Sequence, residues 1–402
     1  MTPLSRLATW PLFVLPFLPF YLSWSLPFPF ITGRTFLCRL LVEIAFFAWG
    51  GLALSGRGHV HRLNTPIAWA VAMFLFTVGV ANGLGIAPYR SFLGSYERME
   101  GYILLLHLGA LFVILATVVT MTQLRVYLSL FVVSGLLASL SAFLPIWSGG
   151  GLRSGAVFGN PTFLAVYCLL TGGLSVWLAV QSPRAWAKLL YGYAALAQIA
   201  MIIAIWNRGA LVGIAIGGIV GLCIAAFRAK AFVILGGQIA GLIVGGVLLT
   251  GLMLSLLHTD ISAQTRLVVW QTAWKGIQER PVLGWGQENA AYVLRTYGNP
   301  RPFADLPYDR AHNILLDWGL SAGLIGVTVY LAIFVCAFAA LWKKGRVESA
   351  VLASLLVAYF VQNLFAFDTL MSYVIFFSLL AFISQPLGDE PSNKNNRPHQ
   401  HT

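Results

Sequence analysis

Runs of about twenty apolar residues follow one another along the chain, and one long polar stretch, Ser262–Leu320, interrupts them. Runs of that length suit transmembrane helices. In hydrocarbon every backbone polar group needs an internal partner, so spanning segments are helices or closed barrels. The runs here are continuous rather than alternating, which excludes a barrel. The pattern predicts an all-α polytopic membrane protein of about twelve spans. The spans are placed at Thr9–Ile31, Phe36–Leu54, Pro66–Ile86, Tyr102–Met121, Leu124–Trp147, Pro161–Val180, Ala185–Trp206, Gly209–Phe227, Ala231–Leu257, Leu320–Trp342, Ser349–Phe367 and Met371–Ile383. The chain divides into nine spans over 1–257, a polar loop over 258–319, three spans over 320–384 and a polar tail over 385–402 expected to be disordered.

The polar loop has its own periodicity. Val269, Ala273 and Ile277 recur at helical spacing, with Arg266, Trp270 and Trp274 on another face. This predicts an amphipathic helix lying at the membrane interface. Pro281 ends it, and Gly284 and Gly286 make a tight turn. The stretch closes on Asp309-Arg310-Ala311-His312-Asn313, directly before an apolar run.

Composition agrees with the membrane reading. The chain is 58% hydrophobic and 9% charged, with a mean hydropathy of +0.80, where a soluble domain carries about a quarter charged residues. The net charge of +12 does not imply nucleic acid, because cytoplasmic loops of membrane proteins collect Lys and Arg. With the N-terminus inside, the cytoplasmic connections hold the clusters Arg57/Arg62, Arg184/Lys188, Arg228/Lys230 and Lys343/Lys344/Arg346. The opposite connections hold single arginines, the polar loop falls outside, and both termini fall inside. The first run has no small-residue cleavage site and reads as a span, not a removable signal peptide. Cys38, Cys168, Cys223 and Cys336 lie within apolar runs and read as small core residues rather than disulfides or metal ligands.

Five of the six lysines lie on the predicted cytoplasmic side, whereas the exterior is almost purely arginine. Both residues serve topology equally, but arginine's planar fork matches phosphate oxygens. Snorkelling to lipid headgroups accounts for any one of these arginines; the set as a whole points to an anionic ligand. His312 sits beside Arg310 at the mouth of a span, where an imidazole can act as a general base or simply pack and cap. No H-x-x-x-H pair or D-x-D occurs on the external side, so the pattern points away from a metal site and a cofactor, although Glu97, Glu100, Asp305 and Asp309 could contribute one.

Several segments together resemble the O-antigen ligase family. They are Arg266, the turn Pro281-Val282-Leu283-Gly284-Trp285-Gly286, and His312-Asn313 before a span. Gly94–Gly101, Arg153 with Phe158–Ala165, Trp206-Asn207-Arg208-Gly209-Ala210 (Asn207 where relatives have Ser) and Gln362–Asp368 also match, in order, over most of the chain. The resemblance implies glycosyl transfer outside the cytoplasmic membrane, from a glycan on undecaprenyl diphosphate to a hydroxyl of lipid A-core, a growing glycan or a protein, without metal. It implies that Arg208 and Arg266 hold the diphosphate, with Arg153 and Arg310 in support, and that His312 activates the acceptor. Arg98 and Trp270 are accessory candidates; Asn313 either orients His312 or caps the next helix. The rival within the class is a polysaccharide polymerase or protein O-oligosaccharyltransferase. The rival outside it is a lipid-linked glycan transporter, against which the nearly charge-free spans and one-sided arginines argue.

Overall fold

A computed structural model describes residues 2–56, 63–143, 155–231, 237–238, 261–298, 308–345 and 347–385. Among these the helices are α1 (Pro3–Thr9), α2 (Thr32–Ser55), α3 (Pro66–Gly83), α4 (Pro88–Leu93), α5 (Tyr102–Thr117), α6 (Met121–Ser141), α7 (Pro161–Gln181), α8 (Ala185–Ile205), α9 (Arg208–Arg228), α10 (Ile261–Glu279), α11 (Ala290–Tyr297), α12 (Ile314–Lys344), α13 (Val347–Asn363) and α14 (Leu370–Ser384). Seven of them, α2, α3, α6, α7, α8, α9 and α12, are long and apolar enough to cross a membrane; α5, α13 and α14 are shorter apolar helices. The expected ninth span and Arg153 lie outside the described residues.

The first expected span is not an α-helix. After α1 the chain continues as a 3₁₀-helix over Trp10–Phe20, then turns without helix to Thr32. Pro11, Pro16 and Pro19 explain the difference, since each removes a donor that an α-helix would use. The 3₁₀ form rises about 2.0 Å per residue, so the segment still reaches far. Ala8 packs on Ala48 and Leu52 near one end of α2, and Arg34 near the other end donates to the carbonyls of Pro19, Tyr21 and Val157. In α2 the acidic residue within the apolar run, Glu43, is paired with His107 of α5 at 2.8 Å, while Arg39 donates to the Met99 carbonyl at 2.6 Å.

Helix ends sort into two layers. At one, Arg228 donates to the Trp342 carbonyl and Lys344 to those of Ile383 and Gln385, so clustered basic residues lie together. At the other meet the ends of α3 and α13 and the starts of α2, α5, α7, α9, α12 and α14.

α12 begins at Ile314, earlier than expected, and is broken at Ala322 (φ −137°, ψ 17°) and Gly323 (φ 65°, ψ −166°). The break leaves backbone groups about 12 Å inside the helix without their usual partners. The 280–286 turn supplies them. Trp285 N–H donates to Leu320 O (2.7 Å), Gly286 N–H to Ser321 O (3.0 Å), and Leu324 N–H to Pro281 O (2.7 Å). A Cβ on Gly323 would overlap the Val282 carbonyl, and the positive φ already disfavours one. Gly323→Ala is therefore expected to destabilise the protein by about 2 kcal/mol or more, read as a lower thermal midpoint in detergent. Gly50→Ala, at a position with open space around it, serves as control; equal effects of the two substitutions would remove the packing argument.

Candidate functional site

Three loops meet in the layer opposite the basic clusters: 84–101, 280–289 and 308–313. Their joints are side chains that a hydrophobic environment obliges to pair. Buried Asn82, at the end of α3, exchanges two bonds with Gln287: its Nδ2 donates to Oε1 and its Oδ1 accepts from the backbone N–H, both at 2.8 Å. Ser91 Oγ donates to the Gln287 carbonyl (2.9 Å) and accepts from Asn289 Nδ2 (2.9 Å). Ile86 N–H donates to Trp285 O (3.1 Å). Gly85 lies so close that a Cβ there would stand 2.7 Å from that carbonyl.

Arg310 locks the third loop to the other two. Its Nη2 donates to Glu100 (2.9 Å) and to Glu288 (2.6 Å), both buried carboxylates. Arg98 makes a bidentate pair with Asp309, at 2.6 and 3.1 Å, and lies over the Phe367 ring at 4.8 Å. Burial raises the Asp309 carboxyl, but Arg98 outweighs it and holds Asp309 below its ordinary value. Burial pushes the Glu100 carboxyl up to about 7, although Arg310 and Arg98 pull the other way.

The turn 308–313 is fixed in unusual detail. Among the described residues six non-glycines have positive φ, and three of them, Met99, Glu288 and His312, border these ion pairs. Strained backbone persists only where its surroundings over-determine it. His312 Nδ1 lies 3.2 Å from the Arg310 carbonyl, and its ring meets Tyr308 and Phe367 edge-on. Burial lowers the imidazole's pKa below the ordinary 6.5, and the Arg266 guanidinium lowers it further. Asn313 Oδ1 accepts the N–H groups of Leu315 (3.0 Å) and Leu316 (3.3 Å), so Asn313 caps α12.

The predicted site residues are placed as follows. Arg98, Arg310, His312 and Asn313 lie together, with Arg266 close enough to act on His312. α10 forms, and Val269, Ala273 and Ile277 are its buried face; Trp270 Nε1–H donates to the Ala311 carbonyl at 3.0 Å. Arg208 opens α9 in the same layer, behind the N-cap Asn207; its neighbour Gly209 faces Gln362 and Phe365, close in sequence to the Phe367 that packs on His312. Arg310, expected to support diphosphate binding, and Arg98, an accessory candidate, are engaged by carboxylates of the chain itself. Glu288 and Asp317 carry no signal in the sequence motifs; their signal is rarity, since the whole chain has only 13 acidic residues. Among the described residues no three His, Cys, Asp or Glu stand together as a metal site.

Residues 193–331 match the O-antigen ligase family, a range that takes in Arg208, Arg266, the 281–286 turn, Arg310 and His312. The O-antigen ligase of Pseudomonas aeruginosa is 31% identical over 215 residues, covering 52% of this chain and 49% of that protein. The matched stretch thus spans about half the length of that relative.

The elevated Glu100 value gives a pH test. Folded Glu100 holds its proton more tightly than the unfolded chain, whose carboxyl titrates near the ordinary 4.5. Its stabilising contribution is complete below that pH and is lost as the pH rises through about 7. Glu100→Gln mimics the protonated form. Its thermal midpoint relative to wild type is expected to rise between about pH 5 and pH 8; a pH-independent difference would count against a raised Glu100.

Proposed function

We propose that the chain, whose residues 193–331 match the O-antigen ligase family, is a membrane glycosyltransferase of that family. It moves a glycan from undecaprenyl diphosphate to a hydroxyl acceptor, lipid A-core in the ligase reading. The acceptor oxygen attacks the anomeric carbon, the bond from that carbon to the diphosphate oxygen breaks, and configuration inverts. His312 takes the hydroxyl proton. Arg208 and Arg266, aided by Arg153, hold the departing diphosphate, whose growing negative charge fixed guanidinium groups stabilise. Arg310 contributes through the loop it anchors and the positive charge it brings there.

The observation that carries this reading is His312 itself. It is held in a strained turn, and burial, with a smaller contribution from the nearby cation Arg266, lowers its pKa below the ordinary value despite the Arg310 carbonyl, which pulls the other way. A base must be unprotonated, and a diphosphate needs cations; here one environment serves both. Arg208 adds its charge at the N-terminus of α9, where the helix dipole also favours an anion. The opposite layer carries the clustered Lys and Arg, which supports a cytoplasmic position for it under the positive-inside rule. On this reading the site faces the exterior of the inner membrane and both termini face the cytoplasm.

The test is transfer by purified protein from an undecaprenyl-diphosphate oligosaccharide to lipid A-core. His312→Ala is expected to abolish transfer with folding intact, and Arg208→Ala or Arg266→Ala to lower kcat by about 100-fold or more. The acid limb of the activity profile should fall below pH 6.5, because the folded-state value of His312 is lowered from there. Full activity in His312→Ala would sink the base assignment, and activity lost to EDTA and restored by a divalent cation would sink the arginine-only account. Transfer to lipid-linked glycan but never to lipid A-core would mark a polymerase.

A further inference from the structure

The peptide just before His312 is gripped on both sides. Ala311 is fully buried, and each of its backbone polar groups has a side-chain partner. Asp317 Oδ1, from the first turn of α12, accepts the Ala311 N–H at 2.7 Å. Trp270 Nε1–H, from the middle of α10, donates to the Ala311 carbonyl at 3.0 Å. Neither bond is regular secondary structure, and the two partners come from different helices. The residue they fix precedes a histidine at φ 55°, a conformation that costs on the order of 1–3 kcal/mol and has to be imposed by its surroundings.

We propose that Asp317 and Trp270 are positioning residues for His312: by holding the Ala311 peptide between α12 and α10 they set the direction of the imidazole. This inference rests on the reading of His312 as the base.

Two further features favour positioning over simple anchoring. Asn313 already caps α12 through two backbone N–H groups, so Asp317 is not required for that end. α10 also carries Arg266 one turn before Trp270, so the bond from Trp270 fixes the imidazole relative to the cation that perturbs it. The second Asp317 oxygen, Oδ2, is buried without a partner among the described residues. Asp317 lines a small pocket of mixed polarity with Asp368 and Arg310. Asp368 Oδ2 is likewise buried and unpartnered. An asparagine at 317 would keep the Oδ1 acceptor and place an NH₂ donor in this pocket, so it preserves the grip while removing the charge.

The test is steady-state kinetics with the same donor and lipid A-core. Trp270→Phe keeps the ring but loses the N–H. It is expected to lower kcat by about 10- to 100-fold, with KM for the donor within about threefold of wild type and a lowered thermal midpoint, because the buried Ala311 carbonyl loses its partner. Asp317→Leu should show the same split, and Asp317→Asn should restore kcat to within about threefold of wild type. Wild-type kcat in Trp270→Phe, or a loss confined to KM, overturns the proposal, as does Asp317→Asn being as damaged as Asp317→Leu. The underlying reading fails separately, when His312→Ala itself stays active. An inactive His312→Ala alongside a fully active Trp270→Phe rejects positioning alone.

Discussion

A helix interrupted inside a membrane has to have its freed backbone groups satisfied by protein, because lipid offers none. In this chain the interruption at Ala322–Gly323 and the turn at 280–286 satisfy each other, through three backbone bonds of 2.7–3.0 Å. Much else in the site layer follows from that joint. The turn cannot move away without exposing Leu320 and Ser321, so Gln287, Glu288 and Asn289 are carried to fixed places. Glycine is required at 284 and 323 because each backbone occupies the space a side chain would need. The joint thus turns a surface loop into an inserted part of the bundle.

Charge completes what the backbone begins. Glu288, delivered by the turn, and Glu100, delivered by the loop before α5, converge on Arg310. One guanidinium between two buried carboxylates joins three loops that are distant in sequence. Removing one member of such a cluster is more damaging than the cluster is stabilising, because the remaining charges are left buried and uncompensated. The same economy explains why many arginines of this layer are structural: Arg34 closes three carbonyls, Arg39 one, Arg98 an aspartate, and Arg280 lies on Trp285 at 4.5 Å.

Much of this was legible in the sequence. The hydrophobic runs located the apolar helices, seven of them among the described residues long enough to cross a membrane, mostly to within a few residues, and the spacing of Val269, Ala273 and Ile277 identified the buried face of α10. The motifs at 281–286 and 312–313 marked the segments that form the site layer. Three things were not legible. Hydropathy registers greasiness but not hydrogen bonding, so Thr9–Ile31 reads as an α-helical span although its prolines impose a 3₁₀ path. A helix broken at Gly323 has the same composition as an unbroken one. Charge sign is visible but partners are not, so the sequence shows Arg98 and Arg310 as cations without showing that Asp309, Glu100 and Glu288 pair with them. Only the folded loops bring residues 100, 288 and 310 together.

On the proposed mechanism the depressed pKa of His312 is a compromise. Each unit by which burial and Arg266 lower it corresponds to about 1.4 kcal/mol of preference for the neutral imidazole. That preference keeps the base available near neutral pH, but it also makes the imidazole a weaker acceptor for the hydroxyl proton. A weak base gains most from exact aim, since proximity and orientation can replace driving force. This is the physical reason for a strained turn whose neighbouring peptide is gripped by Asp317 and Trp270. The donor supplies the other half of the balance: a diphosphate bound beside Arg266 would offset part of its positive charge and raise the imidazole's affinity for the proton at the moment transfer requires it. Base strength would then be coupled to donor occupancy.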